Sequence, residues 1–439
     1  MGDILIKDTL LVTVDEQRPA YFFGDILVKG DVIAKISEHP EKIDSRAAKI
    51  AIDGSNLLVM PGLINTHGHA AMTLFRSYAD DLPLKEWLEE KIWPIEEHLT
   101  ADDVYWGSML AISEMLKGGT TTFKDMYFFM DKVAEAVAES GIRAFLSRGM
   151  IGFGDSAATG LKEAEEFIGN WHGAEGGRIN VTLGPHAPYT CPPPYLEKVM
   201  ALAAKSGRPL QIHLSETRRE VEESIDQYGA SPIELVFRLG LFDHKVTAAH
   251  CVHVSDRDIE MLAEKQVGVA HNPGSNLKLG SGVAPVSKML EKGIKVGIGT
   301  DGASSNNNLD MFEELRLTSL LAKGIAMDPT LIDAKTALRM ATFTGAEALF
   351  LEDCGCLKEG WKADLIGLRL DVPHLTPMHD PVAQVVYAAS AADVDLVLVD
   401  GKLVLEKGEL KTIDEAKVRA EAARCAARLV GVVAEKEGK

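Results

Sequence analysis

Two histidines separated by one residue follow an apolar run near the start of the chain. The run, residues 57–64, is long enough to form one buried strand. Because residues two apart in an extended chain point to the same side, His67 and His69 are expected to project together from the strand end. Gly68 between them has no side chain that could crowd an ion. Two imidazoles on one rigid strand make half of a metal site, although ordinary hydrogen-bonding residues at a strand end would show the same spacing.

Later apolar runs end in the same kind of residue. In chain order, the residues that follow these runs are His186, His213, His250, His271 and Asp301. Histidine is a minor residue here, with 13 in the whole chain. A single polar strand end is ordinarily structural, but five strands that end in histidine and one that ends in aspartate predict a shared metal site.

The ligand set can be chosen from these strand ends. Three imidazoles and one carboxylate suit Zn²⁺ or a similar divalent ion and leave one position for water; the residues concerned are His67, His69, His213 and Asp301. Two-metal barrel sites often need a bridging lysine carboxylate. The fourth strand ends in histidine without a lysine, so we predict one divalent metal ion per subunit, with zinc favoured.

Glu216 lies three residues after His213. A bound metal lowers the pKa of its water toward about 7, and a carboxylate beside that water could carry its protons. The structural alternative is a carboxylate at a helix N-terminus, stabilised by the helix dipole.

The elements that must position these residues alternate between strand and helix. Eight strands, each followed by a helix, can be counted between residues 59 and 301. This alternation predicts the α/β class and a (β/α)8 TIM-type barrel, whose functional residues lie at the carboxyl ends of the strands. An open doubly wound sheet is the alternative, but no GxGxxG unit near its start supports it. Residues 84–99 show helical spacing and are predicted to form a helix that stops near Pro94.

Both ends of the chain are rich in short strands. Glycine beside aspartate, as in Lys29-Gly30-Asp31, suits tight hairpin turns. We therefore predict that residues 1–58 and 360–439 fold together as a composite small β domain of the sandwich type. Residues 59–359 would form the metal-dependent barrel domain.

Composition narrows the class of protein. The 439 residues are 46% hydrophobic and 25% charged, which is typical of a globular chain. A net charge of −19 argues against nucleic acid and anionic membrane surfaces as partners. The start of the chain resembles no secretory signal, no apolar run approaches the ~20 residues of a membrane span, and the five cysteines are scattered. A cytoplasmic enzyme is expected, and the sequence leaves open whether it forms a homo-oligomer.

Six further segments extend the pattern beyond single residues. They read PGLINTHGHAAM, GPHAPYTC, HLSET, AHCVH, HNPGSNLKLGSG and GTDGASSNNNLD. With ADDLPLKEWLEEKIWPIE after the histidine pair, they make the chain resemble the amidohydrolase superfamily, and more closely the 5′-methylthioadenosine/S-adenosylhomocysteine deaminases. The resemblance covers nearly the whole chain, including the split β domain.

The resemblance implies a metal-dependent hydrolytic deaminase of adenine nucleosides. Metal-bound hydroxide would attack C6 of 5′-methylthioadenosine, S-adenosylhomocysteine or adenosine, and the products would be the inosyl compound and ammonia. The positions that match the zinc ligands of the family are His67, His69, His213 and Asp301.

The resemblance also implies roles for residues around the metal. Glu216 would protonate the ring nitrogen, while His250, with Asp301, would orient the water and move its proton. The nucleoside would be contacted by Glu96, through its ribose hydroxyls, and by Trp87, Arg148, His186 and Glu216. From the residues alone, a core tryptophan, a solvated glutamate and a surface arginine would be the usual interpretation of Trp87, Glu96 and Arg148. His253 and His271 receive no assigned role.

One departure from the family pattern bears on the substrate. The family commonly has a further arginine after the third strand, which helps to bind the amino-acid carboxylate of S-adenosylhomocysteine. No arginine occurs here between Arg148 and Arg178. Lys162 could replace it only as a point charge without a bidentate fork. We therefore expect 5′-methylthioadenosine or adenosine to be used comparatively well.

Two alternatives remain open at this point. A chlorohydrolase or a guanine deaminase of the same superfamily would keep the site and change the leaving group. A non-catalytic scaffold on the barrel belongs to a different class, and the filled ligand positions argue against it.

Overall fold

The N-terminal region contributes five strands to a mixed sheet. The computed structural model describes residues 3–154 and 156–436. The first strands are β1 (Ile4–Val12), β2 (Tyr21–Lys29), β3 (Val32–Glu38), β4 (Ile50–Asp53) and β5 (Leu57–Pro61). β1 and β2, and likewise β2 and β3, pair antiparallel, whereas β4 and β5 lie parallel to β1.

The apolar run 57–64 forms two strands instead of the single strand that we predicted. β5 ends at Pro61, which has no backbone N–H for a sheet ladder. The next strand, β6 (Leu63–Asn65), belongs to a second sheet. Gly62 between them approaches Thr121 so closely that an ideal Cβ would lie 2.1 Å from the threonine Oγ1. The chain therefore passes from one sheet to the other at Gly62.

The second sheet contains eight parallel strands in sequence order. They are β6, β7 (Thr120–Tyr127), β8 (Arg143–Met150), β9 (Ile179–Pro185), β10 (Leu210–Leu214), β11 (Val246–His250), β12 (Gly268–His271) and β13 (Val296–Ile298). The first and last strands lie next to each other, and the amide of Thr66, just after β6, donates to the carbonyl of Ile298 in β13 at 2.9 Å. The predicted TIM-type barrel is confirmed, and the open doubly wound sheet is excluded.

Helices surround the barrel and close the chain. They are α1 (Leu84–Glu86), α2 (Trp93–Glu96), α3 (Ala101–Lys117), α4 (Met130–Ser140), α5 (Ser156–Trp171), α6 (Ala174–Gly177), α7 (Pro193–Ser206), α8 (Arg218–Tyr228), α9 (Pro232–Arg238), α10 (Asp256–Glu264), α11 (Pro273–Lys278), α12 (Val286–Glu291), α13 (Met311–Ala326), α14 (Ala334–Met340), α15 (Phe343–Ala348), α16 (Pro381–Tyr387) and α17 (Glu415–Lys436). None of the helices in the described ranges is long and apolar enough to cross a membrane.

The helical segment after the histidine pair continues past Pro94. A π-helical stretch, Trp87–Ile92, joins α1 to α2, and the amide of Trp93 donates to the carbonyl of Leu88. Pro94 lies in the first turn of α2, where a proline fits without breaking the helix. The predicted stop at Pro94 is therefore displaced to Glu96. Single π turns inside helices occur frequently at functional sites.

The C-terminal strands complete the first sheet. β14 (Leu365–Arg369), β15 (Val394–Val399), β16 (Lys402–Glu406) and β17 (Glu409–Leu410) follow in chain order. β14 pairs antiparallel with β5, so the sheet has the order β17-β16-β15-β14-β5-β1-β2-β3, with β4 beside β1. The predicted small β domain is thus one nine-stranded mixed sheet built from both chain ends. Its limits at residues 58 and 360 stay a prediction.

Buried ion pairs around Arg143 connect the barrel with this sheet. The guanidinium, at the start of β8, lies 2.7 Å and 3.1 Å from the two carboxylate oxygens of Asp364 and 3.1 Å from Asp400 Oδ1. Asp364 Oδ1 also accepts from the amide of Asp400 at 2.6 Å. Burial works against the charged form of Arg143, but the carboxylates raise its pKa well above the ordinary value. The network fixes one end of the barrel to the mixed sheet.

Candidate active site

A cavity opens where the barrel strands end. It is lined by most of the residues that the sequence singled out: His69, Trp87, Glu96, His186, His213, Glu216, His250 and Asp301. His67 is buried and lies against the rings of His69 and His213. Nearly all of the predicted site residues therefore meet at the carboxyl ends of the barrel strands, as expected for this fold.

The four predicted metal ligands converge. One candidate ligand atom from each of His67, His69 and His213 lies within 4.8 Å of the others. Asp301 Oδ1 lies 3.4 Å from Nε2 of His67 and 3.2 Å from Nε2 of His69. His67 and Asp301 also form such a group with His250.

Hydrogen bonds test whether these residues fit a divalent cation. Nδ1 of His69 donates to the Met126 carbonyl at 2.7 Å, and Nδ1 of His213 donates to the His186 carbonyl at 2.6 Å. Because a carbonyl can only accept, these bonds leave the Nε2 lone pairs free for a metal. His67 Nε2 is buried and has no hydrogen-bond partner in the described part of the chain. The donor set therefore fits a divalent cation.

Two hydroxyls hold the Asp301 carboxylate. Ser275 and Ser305 each donate to Oδ2 at 2.7 Å, which leaves Oδ1 facing the histidines. Burial would raise the pKa of Asp301, but the neighbouring imidazoles of His67 and His69 hold it well below the ordinary value. The aspartate is therefore kept ionised, as a metal ligand must be.

Glu216 and His250 lie close together in the cavity. Glu216 Oε2 lies 3.8 Å from Nε2 of His250. Nδ1 of His250 donates to Oδ1 of Asn276 at 2.8 Å, so its Nε2 is free to accept a proton. Burial raises the pKa of Glu216. The pair thus offers an acid and a base in one place.

Three of the predicted nucleoside contacts also lie in the wall of the cavity. Trp87 is carried by the π-helical stretch, and its Nε1 is buried without a hydrogen-bond partner among the described residues. Tyr127 donates to Glu96 Oε1 at 2.6 Å, and burial raises the pKa of Glu96 to about 7. His186 is fixed through Nδ1 by the Thr190 hydroxyl at 2.8 Å. The indole donor and the half-buried carboxyl are available to a ligand.

Arg148 is not brought to this cavity. Its Nε lies 2.6 Å from Glu163 Oε2, and its guanidinium lies over the Phe128 ring, 5.0 Å from the centroid. Lys162 is 77% exposed and pairs with Glu166. Neither basic residue lines the cavity, so neither is placed to receive a substrate carboxylate there.

The two histidines without an assigned role lie outside the cavity lining. His253 Nε2 donates to the Ser281 carbonyl at 2.6 Å and lines a neighbouring cavity. His271 is buried at the end of β12. The hydrogen bond accounts for His253 without a ligand role, whereas Nδ1 of His271 is buried without a hydrogen-bond partner among the described residues.

Sequence reasoning missed the residues that support the site. Tyr127 ends β7, so the strand-end rule could have found it. Ser275, Asn276 and Ser305 lie within quoted motifs, but nothing in their spacing shows which side chain they would contact. The contacts of Ser275 and Asn276, which lie on α11, depend on tertiary structure.

Comparisons with known proteins agree with this geometry. Residues 58–404 match the amidohydrolase family. A relative from Dictyoglomus thermophilum, named 5-methylthioadenosine/S-adenosylhomocysteine deaminase, is 58% identical over 402 residues, 91% of this chain and 93% of its own. A crystal structure of an adenosine deaminase from Xanthomonas campestris with bound zinc superimposes with a TM-score of 0.92 at 35% identity, covering 98% of this chain and 99% of that one. The crystal structure of atrazine chlorohydrolase from Arthrobacter aurescens, complexed with zinc, superimposes with a TM-score of 0.89 at 27% identity. The match covers 96% of this chain and 100% of that one.

Proposed function

Since this chain belongs to the amidohydrolase family, we propose that it is a hydrolytic deaminase of adenine nucleosides. The substrate class comprises 5′-methylthioadenosine, S-adenosylhomocysteine and adenosine, and the products are the inosyl compound and ammonia. The observation that carries the proposal is one cavity that combines a fitting donor set for a divalent cation with Glu216 and His250. The deaminase names of close relatives support the same substrate class.

A single zinc ion is our assignment for the cation. His67, His69, His213 and Asp301 would hold it, since imidazole nitrogens with one carboxylate are typical of zinc sites. When bound, such an ion lowers the pKa of water and makes a nucleophile available at neutral pH.

The residues of the chain account for the proton transfers. Water adds across the bond between C6 and the adjacent ring nitrogen, and Glu216 supplies the proton that this nitrogen receives. His250 Nε2 takes the proton that the attacking water loses. A proton then passes from the new hydroxyl to the amino group, ammonia leaves, and C6 becomes a carbonyl. The proton on His250 passes to Glu216, 3.8 Å away, which restores both groups. The raised pKa of Glu216 fits an acid that holds its proton until the ring nitrogen needs it.

The wall of the cavity would position the nucleoside. The Trp87 indole N–H and the Glu96 carboxyl supply a donor and an acceptor for ribose hydroxyls, and His186 lines the same cavity. Arg148 would have to leave Glu163 to join them. We therefore assign Trp87, Glu96 and His186 as substrate contacts and leave Arg148 out.

A substrate panel tests this function and ranks the substrates. We expect ammonia release and loss of adenine absorbance with all three nucleosides. The kcat/KM for 5′-methylthioadenosine or adenosine should be at least comparable to that for S-adenosylhomocysteine, because neither Arg148 nor Lys162 lines the cavity. A large preference for S-adenosylhomocysteine would contradict this ranking.

The same panel tests the second candidate function, that of a chlorohydrolase or a guanine deaminase. Atrazine and guanine belong in it because a chlorohydrolase is among the structural neighbours. Chloride release from atrazine, or ammonia release from guanine, faster than ammonia release from every adenine nucleoside would overturn the proposal. A Lys162→Ala variant serves as the control for the ranking of the nucleosides, since this lysine lies at the surface.

Removal of the metal should abolish turnover. Several kcal/mol of transition-state stabilisation from a bound cation correspond to a fall of about 100-fold or more in kcat. Dialysis against a chelator, followed by elemental analysis and ammonia assays, measures the loss. Added Zn²⁺ should restore activity and Ca²⁺ should not, because the donors are mainly nitrogen. Full activity in metal-free protein would refute the metal assignment.

A further inference from the structure

The segment that carries Glu216 makes a strained turn at the end of β10. Ser215 has φ 53°, a left-handed conformation that residues other than glycine rarely adopt. Its carbonyl accepts from the amides of Val252 and His253, at 3.0 Å and 2.8 Å. The turn is thus held on one side by the loop after β11. Strained backbone persists only where its surroundings determine it.

Glu220 holds the other side of this turn. It lies in the first turn of α8, and its side chain folds back toward the barrel. Oε1 accepts from the amide of Ser215 at 3.0 Å, and Oε2 accepts from the amide of Glu216 at 2.7 Å. Hydrogen bonds to an ionised carboxylate are about twice as strong as neutral ones. Both oxygens are therefore used on two consecutive amides.

The surroundings of Glu220 favour this use over an ordinary ion pair. The residue is only 8% exposed. It forms no salt bridge with a lysine or arginine of the described ranges, and burial raises its pKa to about 7. It contributes to the wall of the neighbouring cavity but does not line the one that holds the metal ligands. A buried carboxylate without a cation is costly, so its two amide bonds are its main compensation.

We propose that Glu220 is a positioning residue that aims the Glu216 carboxyl into the cavity by clamping the Ser215 and Glu216 amides. Glu220 does not touch the substrate. This inference rests on the proposed function, because it assigns Glu216 its partner in the same reaction. It places the control of a proton-transfer group four residues away, on the next helix.

The first test is Glu220→Gln, assayed after deamination by the unaltered protein has been established. Glutamine keeps the shape but offers only one oxygen, so one backbone amide faces an N–H group. We expect kcat to fall about 10- to 100-fold, as for other groups that orient reactive side chains, with KM changed by no more than about threefold and with metal content unchanged. Glu223→Gln is the matched control, because Glu223 lies one turn further along α8 and pairs with Arg219 at the surface.

A double-mutant cycle separates positioning from a general structural effect. If Glu220 acts only through Glu216, adding Glu220→Gln to Glu216→Gln should change the residual kcat by less than about twofold. The proposal would be overturned if the double variant lost the product of the two single-variant losses in kcat, or if Glu220→Gln alone kept the kcat of the unaltered protein.

Should Glu220→Gln fail to fold, Glu220→Asp decides the matter. It keeps the charge but is one carbon too short to reach both amides, and an unchanged kcat there would refute the clamp. Failure of the proposed function would appear earlier, as absence of deamination in the unaltered protein.

Discussion

Glu216→Gln should lower kcat by about 10²- to 10⁴-fold, the usual contribution of a positioned acid or base. The amide has the size of the carboxyl but cannot deliver a proton to the ring nitrogen. Glu216 lies in a buried position 3.8 Å from His250, which shields it from bulk water. Steady-state ammonia release at saturating 5′-methylthioadenosine measures the effect.

The metal content of this variant provides the control. Glu216 is not among the residues that group as candidate metal ligands, so Glu216→Gln should keep its metal. His213→Ala should lose both metal and turnover, since His213 is one of the three grouped imidazoles. A Glu216→Gln variant that retained kcat within about tenfold of the original would exclude this carboxyl as the main proton carrier.

Arg143→Ala should lower the free energy of unfolding by about 3–5 kcal/mol, the range for removing one partner of a buried ion pair. The change leaves Asp364 and Asp400 buried beside a cavity, without the guanidinium that neutralises them. Urea denaturation followed by circular dichroism measures the loss. Arg143 lies at the start of β8, whereas the cavity lies at the strand ends, so the folded fraction should still turn over substrate.

A surface pair gives the comparison for this result. Arg369 and Asp371 form an ion pair in which both side chains are about half exposed. Arg369→Ala should therefore change the stability by less than about 1 kcal/mol. Equal effects of the two substitutions would mean that the buried network does not hold the barrel and the mixed sheet together.

The barrel and the convergence of the candidate ligands could be predicted because local signals determine them. Alternating strands and helices specify a parallel sheet. Because functional residues of a barrel lie at the carboxyl ends of its strands, this rule then selects the residues at strand ends. His213 and Asp301 were found in this way although their residue numbers differ by 88. The rule selects one residue too many, because His271 ends β12 but lies outside the cavity lining.

Other features could not be predicted because they depend on distant partners. The break at Gly62 follows from its close approach to Thr121, and an apolar run that contains Pro-Gly can equally be one irregular strand. The Glu220 side chain could have faced solvent on an amphipathic helix, and only the folded turn at Ser215 gives it two amides to accept from. Such contacts have no periodic signal in the chain.

The mixed sheet shared by both chain ends has a consequence for biosynthesis. β5 pairs with β14, so this edge of the nascent sheet stays open until residues 365–369 have left the ribosome. β5, the strand that precedes β6 and the histidine pair, is thus completed only late in translation. An exposed strand edge invites pairing with other chains, and truncated translation products should for this reason aggregate.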